Sequence, residues 1–152
     1  MESVGFRFEI IYKDEHLLKV CISAWNGSFG GAADVYTEAD QLKEAAAVLQ
    51  RFPLDLSDVR EVTFGEFGPK SAGGAVSMRF YCGDRAGHTY VDSKIESGHD
   101  SAGKAQSVFM TLTIEPAAVD SFVEELRQLG ANQAGQARLN GVTRETRSVA
   151  GG

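Results

Sequence analysis

Three histidines, two cysteines and one aromatic-rich strand face hold most of the chemical potential of this chain. The histidines are His16, His88 and His99. A zinc site needs three or four nitrogen, sulfur or oxygen ligands that converge, and ligand pairs usually sit at short spacing. His88 and Asp92 share one strand face, but four residues of extended chain separate them by about 13 Å, too far to share an ion. The spacing therefore gives the histidines structural or solvated roles, and neither metal nor cofactor is expected. Cys21 and Cys82 form no C-x-x-C pair and are too few for a disulfide framework. Both fall inside predicted strands and are expected as buried free thiols. Cys82 and His88 would make a thiol–imidazole pair only by facing the same way. Alternation instead sends Cys82 inward with Val76, Met78 and Phe80, and His88 outward.

Other reactive patterns do not hold up. No G-x-S-x-G elbow occurs. Gly65-Glu66-Phe67-Gly68-Pro69-Lys70-Ser71 has the wrong spacing for a phosphate loop, and Pro69 lacks the N–H such a loop needs. Glu124-Glu125 and Asp14-Glu15 read as solvated charge. No catalytic residue is nominated.

What remains is a surface. Outward positions of the predicted strands carry Trp25, Arg79, Tyr81, His88, Tyr90, Asp92 and Phe109. Aromatic residues and arginine are the types favoured at interaction hot spots. Three readings of this face stand open. It is a partly solvated sheet or one covered by a loop and the tail, it is a homodimer interface, or it binds a ligand or another protein.

The elements that position these residues follow from alternation. Val76, Met78 and Phe80, then Thr89, Val91 and Ile95, then Val108, Met110, Leu112 and Ile114 mark three consecutive strands between Ala75 and Glu115. Upstream, Phe6, Phe8, Ile10 and Tyr12 share one face of a strand over 4–12, and Leu18, Val20, Ile22 and Ala24 one face of a strand over 17–25. Asn26-Gly27 is a strong turn signal, since both residues tolerate positive φ. It returns the chain as a third strand over 28–36, in which Gly30-Gly31 marks a bulge or a close approach of backbone. Thr37 is expected to cap a helix over 38–51, with Leu42, Ala45, Ala46, Leu49 and Phe52 at helical spacing and Pro53 ending it. A strand follows from Val59 to Phe64, then a glycine-rich loop over 65–74. Pro116 opens a second helix, with Val119, Phe122, Val123, Leu126 and Leu129 as its stripe and Gly130 as its stop.

The order βββ-α-ββββ-α predicts an α+β domain over 1–130. Its expected form is one antiparallel sheet of six or seven strands with both helices on one face. A curved sheet wrapping the helices is the alternative. Residues 131–152 read as a flexible or loosely packed tail, with a small terminal hairpin around Leu139 to Val142 as the alternative. No internal repeat is visible.

A chain of 152 residues can bury a full core in one domain. The formal charge of −6, without a basic stripe, argues against nucleic acid as a partner. No signal peptide or membrane-length apolar run is apparent, so a cytoplasmic protein is expected.

Trp25-Asn26-Gly27 with Gly30-Gly31 and Asp34, the helix after them, and Gly87-His88 opening a strand are similar to small uncharacterised bacterial proteins grouped with the immunity proteins of polymorphic toxin systems. The resemblance spans roughly 5–129. It implies a cytoplasmic, non-enzymatic protein that binds and blocks a toxin domain. The acidic charge would suit a partner with a basic surface. The competing expectation is a small-molecule binder or enzyme with a pocket between sheet and helices, gated by the loop at 65–74.

Overall fold

The computed structural model describes residues 3–84 and 88–143. Its elements run β1 (Gly5–Lys13), β2 (Leu18–Trp25), β3 (Gly30–Thr37), α1 (Ala39–Leu49), β4 (Val59–Gly65), β5 (Ala75–Cys82), β6 (Thr89–Glu96), β7 (Ser107–Ile114), α2 (Pro116–Asn132) and β8 (Gln136–Asn140). The α+β class holds. The single sheet of six or seven strands does not: two four-stranded antiparallel sheets form, ordered β3-β2-β1-β8 and β4-β5-β6-β7. Eight twisted strands with one greasy side curl and split rather than stay in one plane.

The greasy side of each sheet faces one shared core. The ring of Phe8 on β1 meets Phe64 of the second sheet edge-on at 5.0 Å and Phe122 of α2 at 5.3 Å. Phe52, just past α1, meets Phe80 of β5 at 5.8 Å. The sheets also touch along their flanks. Gly74 N–H donates to the Asp34 carbonyl, and Val142 N–H donates to the Thr113 carbonyl. An isolated bridge pairs Ile114 with Gly141.

The topology contains a repeat that the residue identities conceal. Three strands, a helix and a further strand occur twice. The last strand of each half joins the other half's sheet: β4 pairs with β5, and β8 pairs with β1. The burial of β3 and β7 is identical position by position. The interval from β3 to β7 also separates the buried pairs Leu42 and Val119, Ala45 and Phe122, Ala46 and Val123, and Leu49 and Leu126. The exchanged strands tie the two halves together through backbone pairing.

Several expected boundaries move. Thr37 is the buried last residue of β3 rather than the helix cap; Glu38 takes that place. The Gln41 side chain returns to accept from Glu38 N–H at 2.9 Å, one half of a capping box. A bulge between Ile10 and Tyr12 breaks the parity of β1, so Tyr12 is exposed instead of joining Phe6 and Phe8. Gly130 does not stop α2. A Cβ there would sit 2.9 Å from the Ala39 carbonyl, so this glycine lets α1 and α2 approach closely. The helix runs to Asn132 and ends at Gln133 in the left-handed region, φ 54°.

The tail expected from Ala131 is corrected across its first part. Residues 136–140 are β8, and Ala137 and Leu139 are fully buried. Short alternation of only two apolar residues hid this strand, which gains its stability from pairing with β1 and packing on α2. The rest of that expectation, 144–152, lies outside the described residues. No helix among the described residues is long and apolar enough to cross a membrane.

Candidate functional site

The outer face of the second sheet is assembled in cross-strand rows. One row runs Val59, Tyr81, Tyr90, Thr113; the next runs Glu61, Arg79, Asp92, Thr111; the third runs Thr63, Ser77, Lys94, Phe109. Inward neighbours fix these positions. Met78, Phe80, Val91, Met110 and Leu112 are buried, and strict alternation sends the residues between them outward.

The centre of the face is a hydrogen-bonded and stacked cluster. The Tyr81 hydroxyl donates to Asp92 Oδ1 at 2.9 Å, and the Thr111 hydroxyl donates to the same oxygen at 2.8 Å. The Arg79 guanidinium lies over the Tyr81 ring at 5.0 Å. Tyr90 sits beside Tyr81 with ring centroids 5.7 Å apart. Partial burial pushes the Tyr81 phenol above its usual range, and the hydrogen bond to Asp92 adds to the rise. Phe109, at the far corner, is 70% exposed.

Five of the seven residues nominated for the outward surface therefore share one face: Arg79, Tyr81, Tyr90, Asp92 and Phe109. His88 does not join them. Its Nδ1 lies 2.6 Å from Asp84 Oδ2, and its N–H donates to Asp84 Oδ1, in the connection between β5 and β6. Trp25 belongs to the first sheet, since β2 pairs with β1 and β3. It remains close by through its neighbour: Asn26 Nδ2 donates to the Thr111 carbonyl at 3.1 Å. The Gly30-Gly31 pair explains itself here. A Cβ on Gly30 would meet the Trp25 ring at 2.8 Å, and one on Gly31 would meet Val108 of β7 at 2.9 Å. Glu61, Lys94 and Thr111 stand on this face as well, outside the nominated seven; the alternation that locates Tyr90 and Phe109 also sends Lys94 and Thr111 outward.

The remaining candidates take ordinary places. Cys21 and Cys82 are free and half-buried rather than buried. Partial burial and nearby Asp34 raise the Cys21 thiol, which disfavours the thiolate. Cys82 keeps core parity but lies at a strand end, its sulfur 3.9 Å from the Asp55 carbonyl. Among the described residues, no three or more His, Cys, Asp and Glu side chains converge to hold a metal ion.

The glycine-rich loop at 65–74 is anchored along its length. Gly68 N–H donates to Glu96 Oε2 at 3.0 Å, Lys94 Nζ lies over the Phe67 ring at 5.0 Å, and Gly74 N–H bonds to Asp34. Cavities of about 360 and 280 Å³ flank it, sharing Tyr36, Ala72 and Gly73 as walls. The space between sheets and helices is filled by Phe8, Phe64, Phe80 and Phe122, all 0–1% exposed. No protein-family model, curated protein or solved structure matches the chain.

Proposed function

We propose that this chain is a non-enzymatic protein-binding module, of the kind the immunity-protein resemblance implies, and that it binds through the outer face of its second sheet. The observation that carries this reading is Phe109. It stands 70% exposed on the edge strand β7, on a face that no helix among the described residues covers, one row from Arg79, whose guanidinium stacks on Tyr81. An antiparallel sheet tolerates water on one side, but that side is ordinarily polar. Here aromatic residues and an arginine are interleaved with Glu61, Asp92 and Lys94, a composition suited to a protein interface. Each sheet's other face is committed to the core.

Light scattering on the native protein and on Arg79→Glu/Phe109→Asp tests it first. A native dimer that the double substitution converts to a folded monomer makes a second copy the occupant of this face. A native monomer directs the search to a different protein. The reading fails if a native dimer survives the double substitution intact, because the face would then lie free beside an established interface elsewhere.

A further inference from the structure

The outer face of the first sheet carries a different feature. Arg7 on β1 and Arg138 on β8 are direct cross-strand partners. Both are exposed, and both line one cavity of about 180 Å³ together with Ser3, Ser23 and Asn140. Like charges placed directly opposite on a sheet repel one another. Proteins usually relieve such a pair with an acid placed between, yet among the described residues no carboxylate lines this cavity. The carboxylates beside the pair stand outside the cavity lining: Glu9 accepts from Gln136 Nε2 at 2.8 Å, and Glu125 accepts from the Arg138 backbone N–H at 2.9 Å. Among the described residues the Arg7 guanidinium makes no hydrogen bond or ion pair, and that of Arg138 has only a 3.4 Å contact to Gln136. Two arginines paired directly across neighbouring strands in a chain of net charge −6 are a local exception.

We propose that this cavity binds a doubly charged phosphate group, free or as a small phosphomonoester. Two guanidiniums match a phosphate dianion in charge, and their planar forks match its oxygens. Ser3, Ser23 and Asn140 add neutral donors at the rim. The cavity is smaller than those that enclose whole drug-sized ligands, so it suits an anionic head group. The site is independent of the face proposed for protein binding, because it lies on the other sheet.

The test is titration of the full chain by amide NMR with inorganic phosphate and with glycerol 2-phosphate, at constant ionic strength, with acetate as the singly charged control. The expected result is saturable shifts centred on Gly5, Arg7, Ser23, Arg138 and Asn140. Arg7→Gln and Arg138→Gln should each weaken binding about tenfold or more, while Arg79→Gln should leave it unchanged. Tighter binding of glycerol 2-phosphate assigns a phosphomonoester, and tighter binding of inorganic phosphate assigns the free ion. The same spectra report whether each variant is folded. Absence of saturation, shifts scattered over all exposed cations, equal binding of acetate, or insensitivity to both arginine substitutions would overturn the proposal.

Discussion

Tyr81 and Asp92 face each other diagonally across the β5–β6 pair, and the tyrosine hydroxyl donates to Asp92 Oδ1 at 2.9 Å. Thr111 on the next strand donates to the same oxygen. One carboxylate oxygen thus ties three strands together on a face that is otherwise open to solvent.

That relationship predicts a titration. The Tyr81 phenol is raised by partial burial first and by Asp92 second, while Arg79 opposes the rise. Asp92→Asn should lower it toward the ordinary value of about 10, and Arg79→Gln should raise it further. NMR of ring-labelled tyrosine, followed through alkaline pH, separates Tyr81 from the other three tyrosines. The folded state holds this proton more tightly than the unfolded chain. Its contribution to stability is therefore complete below about pH 10 and is lost as pH rises through the folded value.

A second prediction concerns the end of α1. Arg60 Nη1 donates to the carbonyls of Val48 and Gln50 at 2.8 and 2.6 Å, while its Nε and Nη2 hold Asp58 at 3.1 and 2.8 Å. The guanidinium also lies over the Phe52 ring. Both side chains of the ion pair are largely buried, at 16% and 13% exposure. Arg60→Gln should cost about 2–3 kcal/mol, because it strands carbonyls at a helix end and a carboxylate together. The Arg60 guanidinium holds the Asp58 carboxyl below its usual range. That contribution is present above about pH 4 and is lost as pH falls through the depressed value. Urea melts should show a flatter acid limb for Asp58→Asn than for the native protein.

A third prediction uses the single tryptophan as its reporter. Gly30→Ala would bring a methyl 2.7 Å from the Ala24 carbonyl and 2.8 Å from the Trp25 ring. One of them must move. The substitution should cost about 1–3 kcal/mol and shift the Trp25 emission. An unchanged spectrum and an unchanged urea midpoint would show that the ring is not seated on Gly30.

Much of this architecture is legible in the sequence. Val76, Met78 and Phe80, and the three strands around them, read correctly because one face is buried along their whole length. Pro116 opened α2 as expected, since its missing N–H costs nothing there. The division into two sheets was not legible, because alternation reports which face is buried and not which strand is the neighbour. The repeated topology was hidden for a related reason. Leu42 and Val119, or Ala45 and Phe122, share a position but differ in size, and packing needs only apolar character and complementary volume. β8 escaped because Ala137 and Leu139 are too few to make a pattern, although both are fully buried. Of the nominated surface, Arg79, Tyr81, Tyr90, Asp92 and Phe109 came together because they lie on consecutive antiparallel strands. Trp25 has the parity of that face but lies on another sheet, because alternation is blind to the sheet a strand joins.

The outer face should tolerate change where the core does not. Phe109→Asp alone should alter folding stability by no more than about 0.5 kcal/mol, because the ring is exposed and buries little on folding. Met78→Ala, directed into the core from β5 of the same sheet, should cost about 2–5 kcal/mol. Comparable losses from the two substitutions would mean that Phe109 is covered by the chain itself.

The most direct test of the binding face is quantitative co-purification with three versions of the tagged chain: native, Arg79→Glu/Phe109→Asp, and Arg7→Gln. The account predicts a protein enriched with the native chain and with Arg7→Gln, and lost with the double substitution while that variant remains folded. Enrichment of the same proteins by all three, or loss only with Arg7→Gln, would contradict it.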